Sequence, residues 1–416
     1  MLHPLNHVYS PGDLISRVAD LDRLTRRLSR PGREVTWFSA PGRVELIGNH
    51  TDHNGGQVLA ASVQLDSLAA AVPLDNQKVQ VASEGFSPVE INCRDLAPRE
   101  REKGTSAALV RGILAYFKKQ GYRVGGLQAA VSSRVSPGSG LSSSASFQAL
   151  IAGFLNRFYH RGKLPGLELA RAGQFAENRY FGKPCGLMDQ LACITGGLAQ
   201  IDFRNPAAPR IRPVDFSFEK HGFSLMILNT GGNHVDLTGE YATIPREMKA
   251  VAAEFKARNL REVRPAAFHQ KLPQLRERCA DRPLLRSLHF FAENRRVRRV
   301  VTLMKEGAIG EILPVVQASG DSSWKLLQNI YPGEMREHQP LALALALAQE
   351  FFDREGSGAC RVHGGGFAGT VLILLPRALS EKFIRRMEGI FSPGCCTALT
   401  IRRPGLVTLA GENSAS

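Results

Sequence analysis

From position 40 to 56 the chain reads APGRVELIGNHTDHNGG, with one arginine, two histidines, an aspartate and four glycines in seventeen residues. This polar cluster interrupts an apolar run at Val44, Leu46 and Ile47, a pattern suited to an anchored loop that presents hydrogen-bonding groups to a ligand. A second cluster, SPGSGLSSSAS (136–146), has glycines at 138 and 140 that let the backbone approach a ligand closely. The helix predicted directly after it would offer free N–H groups and the positive end of its dipole to an anion. That is the physics of a phosphate cradle, although no lysine follows the glycines as it does in a Walker loop. The third cluster, AENRYFGKPCGLMDQLACITGG, places Glu177 late in a predicted helix and Asp189 just past a Pro-Cys-Gly turn, so that two carboxylates could meet in one cleft. Taken alone, each reads equally well as a surface carboxylate or a helix cap. The fourth, RVHGGGFAGT, is a glycine-rich turn with Gly364, Gly365, Gly366 and Gly369.

The elements that must position these clusters follow from periodicity. Apolar residues at helical spacing (Leu14, Val18, Leu21, Leu24, Leu28) predict a helix over 11–28 that SRPGR stops. VTWFSAP, GQVLAASVQ, LAAAVPL, KVQVASE and PVEINC read as separate short strands of a mainly antiparallel sheet. A helix at ALVRGILAYFKKQG, a strand at GLQAAVSSRV, the cradle and its helix, a helix over about 167–181 and a strand at LAQIDF follow in order. The Pro-rich RNPAAPRIRP marks a boundary, beyond which SLMILNT opens a second domain. PLALALALAQEFF alternates like a strand, but its alanines, leucines and length favour a helix. GACRVHGGGFAGTVLILLP reads as strand, glycine turn, strand.

A chain of 416 residues exceeds the size at which a single core usually stops growing, so two domains are expected. No segment approaches about 18 consecutive apolar residues, and the N-terminus lacks the pattern of a secretory signal, so a soluble protein with no membrane partner is expected. Seven scattered cysteines without a CxxC pair suggest reduced thiols, a cytoplasmic location and neither a disulfide framework nor a zinc site. The formal charge of +15 raises the question of nucleic acid, but basic residues spread along helices such as AENRRVRRVVTLMKEG without interleaved aromatics argue for a solvated face. Such a field would also help collect polyanionic nucleotides.

In order and spacing the four clusters resemble the GHMP-family sugar kinases, and among them the galactokinases. The opening stretch is similar to a signature that reads GRVNLIGEHTDYN in typical members. GSGLSSSAS, GKPCGLMDQ and RVHGGGFAGT are similar to the family's phosphate loop, catalytic-aspartate segment and third motif. LNTGGNHVDLTGEYATIPRE resembles the stretch carrying a sugar-contacting tyrosine, here Tyr241. The resemblance spans roughly 40–376. It implies an α+β fold of two domains with the active site in the cleft between them: an N-terminal helical segment (1–30), an N-terminal kinase domain (31–205) and a C-terminal kinase domain (206–416). It also implies a monomer or weak homodimer acting on a small sugar and ATP.

Residue by residue, the resemblance implies Asp189 beside the anomeric hydroxyl of the sugar and Arg43 as the cation beside both, acting as base or as electrostatic stabiliser. Gly138, Ser139, Gly140, Leu141, Ser142, Ser143 and Ser144 would wrap the ATP phosphates, and Ser144 with Glu177 would hold Mg²⁺. Asn49, His50, Asp52, Gly186 and Tyr241 match sugar contacts. Three positions depart from the signature: Glu45, Asn49 and His53 stand where it has Asn, Glu and Tyr. The family's glutamate at the second of these contacts the sugar near its sixth carbon, and galacturonate kinases are similar to this chain in lacking it and in having a histidine at the third. The implied reaction is therefore phosphorylation of galactose at its anomeric hydroxyl. The alternative is a 6-modified hexose such as galacturonate, with a protonated His53 adding to its acceptance. Some relatives bind sugar and ATP only as transcriptional sensors; the intact GLSSSA loop with Arg43 and Asp189 argues for an enzyme.

Overall fold

The computed structural model describes residues 2–28, 34–231, 237–333, 337–367 and 369–410. Part of the tyrosine-bearing stretch (232–236) and one residue of the third motif (368) lie outside the described residues, as do the stop after the first helix (29–33) and the last six positions. In chain order the first half contains β1 (Leu2–His3), α1 (Pro11–Leu28), β2 (Thr36–Ile47), β3 (Gln57–Leu74), β4 (Lys78–Ser83), β5 (Val89–Asn92), α2 (Ser106–Lys119), β6 (Gly126–Ser133), α3 (Ser143–His160), α4 (Gly166–Ala176), α5 (Met188–Thr195), β7 (Leu198–Asp202) and β8 (Arg210–Pro213). The second half contains β9 (Phe223–Asn229), α6 (Thr238–Ala253), α7 (Pro265–Arg278), α8 (Asp281–Glu306), α9 (Ile309–Ser322), α10 (Pro340–Glu355), β10 (Ala359–His363), β11 (Thr370–Pro376), α11 (Ser380–Glu388), β12 (Cys396–Leu399) and β13 (Val407–Leu409).

Two sheets organise these elements. The larger runs β1-β13-β2-β3-β6-β4-β5, with β7 pairing the free end of β3 and β8 pairing β7; the smaller is the antiparallel β10-β11-β9-β12. The strand β3 is the spine of the first sheet. The sequence reads as two strands here because polar residues of SVQLDS interrupt the apolar pattern, yet β3 is continuous over 18 residues. The interruption is absorbed by ion pairing: Asp66, in its middle, is fully buried and pairs with Arg17 of α1 and with Arg402.

Helices cover both faces of the larger sheet. Ala69 and Ala71 of β3 face the cluster built with α2 and α3, whereas Leu68 and Ala70 face Leu21, Leu24 and Leu28 of α1. Successive strand residues point to opposite faces, so a run of small and apolar residues with no polar alternation is what a sheet covered on both sides requires. The other end of β2 and β3 shares a core with the second sheet: Val44, Leu59, Ala61 and Val63 pack with Leu225, Ile227, Leu372 and Val297. Helices α10 and α11 close the far face of that sheet through Leu341, Leu345, Phe352 and Phe383.

Sheet membership does not follow a boundary at 205/206. Strand β8 lies beyond it and extends the first sheet, and β13, near the C-terminus, pairs β2 in the same sheet. The ambiguous PLALALALAQEFF is helical, as α10, with Ala344, Leu345 and Ala348 inward.

Candidate active site

The opening signature divides at Ile47. Its first half belongs to β2, whose pairing with β3 slips between Pro41 and Arg43 and again between Glu45 and Ile47. Such irregularities bend a strand and re-aim its side chains. Arg43 reaches Asp189, in the first turn of α5, through two bonds: Nε to Oδ1 and Nη2 to Oδ2, each 2.8 Å. Its remaining Nη1 donates to the Gly140 carbonyl at 2.5 Å, and the Ser142 hydroxyl donates to Asp189 Oδ2 at 2.6 Å. Burial alone would raise the pKa of Asp189, but the Arg43 guanidinium and the Ser142 hydroxyl outweigh it and hold the carboxyl below its usual value. The aspartate is thus an ionised carboxylate whose side chain stays 30% exposed.

The phosphate loop links β6 to α3. Gly138 (φ 75°) and Gly140 (φ 73°) are left-handed, and Ser142 (φ 60°) adopts the same region at the N-cap of α3. Gly140 is constrained twice: a Cβ there would also lie 2.2 Å from Thr370 Oγ1 and 2.9 Å from His363 Nδ1. The third motif therefore presses directly on the phosphate loop. At the start of α3, Ser144 donates to Glu177 Oε1 at 3.4 Å, and amides from Gln148 (3.1 Å) and Gln190 (2.9 Å) donate to Oε2. Two hard oxygen donors, one a carboxylate, at a helix N-terminus suit a magnesium ion, which takes few protein ligands and completes its shell with water and phosphate. Among the described residues there is no cluster of three or more metal-ligating side chains.

The second half of the signature is a loop held by the glycine turn of the third motif. Asn49 Nδ2 donates to the Gly364 carbonyl (2.7 Å) and to Glu45 Oε2 (3.3 Å), while its Oδ1 accepts from Asn329 (2.9 Å). The His50 Nε2–H donates to the Gly365 carbonyl at 2.9 Å, and the Tyr241 hydroxyl donates to that of Gly366 at 3.0 Å. Three consecutive carbonyls of one turn thus receive side chains from residues 49, 50 and 241. Since His50 Nε2 carries a proton, its Nδ1 accepts from His53 Nε2 (3.3 Å), and His53 Nδ1 accepts from Asn54 (2.9 Å). Burial lowers His50 to about 4, and burial together with His50 puts His53 well below its usual value. Both rings are neutral at pH 7, so the expected protonated His53 is not there to favour a carboxylate. Asp52 lies against Gly186, where a Cβ would collide with its carboxylate, and accepts from the His53 amide at 2.8 Å. Burial, then the charge of Asp189, raises Asp52 to about 6.

The side chain of Asn49 is fully buried and its bonds are internal. Its partner Glu45 pairs with Arg361 at 3.2 Å. Relative to the usual signature, carboxylate and amide have exchanged places four residues apart and remain in contact. Residues that sequence reasoning passed over also enter the site: Asn329, Arg361 and His363 around the glycine turn, and His289, Glu293 and Asn294 of α8 behind the loop. The helix carried a legible signal, since HFFAEN sets hydrogen-bonding residues at i, i+4 and i+5 beside Phe290 and Phe291 in one buried stretch.

With this geometry in place, comparisons with known proteins become informative. A family model described as the GHMP kinases N terminal domain matches residues 108–197, and one described as the galactokinase galactose-binding signature matches 28–73. The galactokinase of Streptomyces coelicolor is 32% identical over 367 residues, covering 86% of this chain and 89% of that protein. The galactokinase of Clostridium tetani is 28% identical over 362 residues, covering 85% and 88%. Among solved structures, Lactococcus lactis galactokinase complexed with galactose superposes with a TM-score of 0.80 at 22% identity, covering 94% of this chain and 99% of that one. The two matched models fall on the strand-and-loop that carries Arg43 and on the segment from α2 to Gly197 that carries the phosphate loop and Asp189, and the chain belongs to the galactokinase family of GHMP kinases.

Proposed function

We propose that this chain transfers the γ-phosphoryl group of ATP to the anomeric hydroxyl of galactose. The observation that carries the reading is the convergence of three segments far apart in sequence on one carboxylate: Arg43 from β2, Ser142 from the phosphate loop and Asp189 itself from α5. Phosphoryl transfer has little covalent work for the protein and depends on alignment and charge stabilisation. Asp189 accepts a hydrogen bond from the acceptor hydroxyl and orients it; held ionised by Arg43 it is a weak base, so it takes that proton only as the new O–P bond forms and the bond to the ADP oxygen breaks. Arg43 ties that carboxylate to the Gly140 carbonyl, so the acceptor and the phosphate cradle keep a fixed relation.

The backbone of residues 138–144 and the N-terminus of α3 receive the nucleotide phosphates. Ser144 and Glu177 would hold Mg²⁺, which would neutralise phosphate charge. On the sugar side Asp52 and the Gly186 backbone face the ring, with His50 and Tyr241 holding the loop against the glycine turn. Asn49 shapes this wall from behind, through Gly364 and Asn329, instead of reading a sugar substituent directly. Galactose is preferred to galacturonate because the amide that would have to meet a 6-carboxylate is committed and both neighbouring histidines are neutral. Its seven cysteines are free thiols, which supports a reducing, cytoplasmic setting.

The test is ADP release by the purified protein with ATP and Mg²⁺ across galactose, galacturonate and glucose, with the product identified as a 1-phosphate. Galactose should give the highest kcat/KM. A protein that binds galactose and ATP without releasing ADP would be a sensor, and a preference for galacturonate would overturn the choice of sugar.

A further inference from the structure

The ladder between β2 and β3 ends at the pair Ile47–Leu59, so the loop it closes begins with Gly48 and returns at Gln57 without that ladder to pair its backbone. Helix α8 supplies partners there. The His289 Nε2–H donates to the Asn49 carbonyl at 3.0 Å, Glu293 Oε1 accepts from the Gly48 amide at 3.0 Å, and Asn294 Oδ1 accepts from the Gln57 amide at 2.8 Å. These three side chains are 0%, 0% and 4% exposed and are themselves anchored. Ser322 donates to His289 Nδ1 at 2.9 Å, Ser319 and Arg296 donate to Glu293 at 2.5 and 2.7 Å, and Asn294 donates to the Phe290 carbonyl at 2.7 Å.

A helix that had only to pack would place apolar residues here, as it does at Phe290, Phe291 and Val297. Burying a histidine, a glutamate and an asparagine is costly unless each is hydrogen-bonded, and each of these spends a bond on the loop backbone. Two bonds grip the entry of the loop and one its exit. Between them lies the arc that carries His50 and Asp52.

The geometry points to His289, Glu293 and Asn294 as positioning residues that hold the sugar loop in its sugar-accepting shape from the second half of the chain. They do not touch the sugar; they fix the backbone from which His50 and Asp52 project. This rests on reading that loop as the galactose site. Because the phosphate loop is held by other contacts, losing the clamp should weaken sugar much more than nucleotide.

The experiment compares wild type, His289→Phe, His289→Gln and Glu293→Asp. Phenylalanine removes the donor to Asn49 at similar size, glutamine restores an N–H near the Nε2 position, and aspartate keeps charge while retracting the acceptor from Gly48. Steady-state kinetics should show KM for galactose raised roughly tenfold in His289→Phe, KM for ATP changed less than about twofold, and recovery in His289→Gln. Hydrogen exchange should quicken in peptides covering 48–57 and stay unchanged over 138–144, a readout that needs no turnover. Should His289→Phe not fold, Glu293→Asp carries the same two measurements. Unchanged exchange in the loop overturns the proposal, as does a rise in both KM values together. A wild type without galactose turnover overturns the functional reading instead, and the exchange data still decide the clamp.

Discussion

Asp66 and Asp189 are both interior aspartates paired with arginine, and both are held below the usual carboxylate range against the opposing effect of burial. Asp66 is sealed at 0% exposure and saturated: Tyr9 at 2.7 Å, Arg402 at 3.1 Å, Ser39 and Arg17 all donate to it. Among the described residues Asp189 receives Arg43 and Ser142, and it keeps 30% of its side chain open. The first is an anchor that ties α1, the middle of β3 and the C-terminal segment together. The second has the same electrostatics with one side open, where the proposed reactant would meet it. What separates scaffold from site is the unfilled coordination, for burial and charge pairing are common to both.

That contrast breaks if the two residues do not dissociate on mutation. Asp189→Asn should lower kcat by about 10²- to 10⁴-fold while the protein remains folded and binds ATP, measured by turnover and by nucleotide titration. Asp66→Asn should do the reverse. Leaving Arg402 buried without its carboxylate, and Arg17 with Asp20 alone, costs about 3–5 kcal/mol, read as a lower urea midpoint, with kcat per folded molecule nearly unchanged. A catalytic loss in Asp66→Asn without a stability loss would erase the distinction.

The exchanged pair sharpens the comparison within the site itself. Asn49→Glu alone would set a second carboxylate beside Glu45, and about 2–3 kcal/mol of destabilisation is expected from that buried like-charge contact. Glu45→Asn combined with Asn49→Glu restores one carboxylate and one amide. A double-mutant cycle should therefore show a favourable coupling above about 1 kcal/mol. Additive effects would mean that positions 45 and 49 are independent.

The smallest effect concerns Asp52, whose carboxyl is raised to about 6 where Asp66 and Asp189 are lowered. A group raised in the folded state contributes stability that is present below its unfolded value near 3.8 and is lost as pH rises through about 6. Ligand-free Asp52→Asn should accordingly be more stable than wild type at pH 8, by up to about 2 kcal/mol after allowing for its partial exposure. It should also lose an inflection near pH 6 in kcat/KM for galactose, below which the wild type declines as the acceptor carboxylate is protonated. An inflection that survives the substitution belongs to another group.

Local rules were enough for much of this molecule. The start of α1, the helical state of PLALALALAQEFF, the strand–turn–strand around Gly364 to Gly366 and the cradle ahead of α3 are each decided by spacing, propensity and glycine within a dozen residues. Through their resemblance to the GHMP motifs, the four clusters also put Arg43, Asp189, Ser144 and Glu177 forward as candidates before any geometry. Other features depend on partners hundreds of residues away. The sequence SVQLDS reads as a break in a strand until Arg17 and Arg402 neutralise Asp66, and β3 then runs through it. An asparagine at position 49 looks free to meet a ligand until Gly364 and Asn329 take up its amide. Sequence dictates which groups are present and what each can donate, accept or ionise. Only the tertiary structure decides which of those capacities are spent inside the protein and which, as at Asp52 and Asp189, stay open, because a buried polar group bonds to whatever the fold brings within about 3 Å of it.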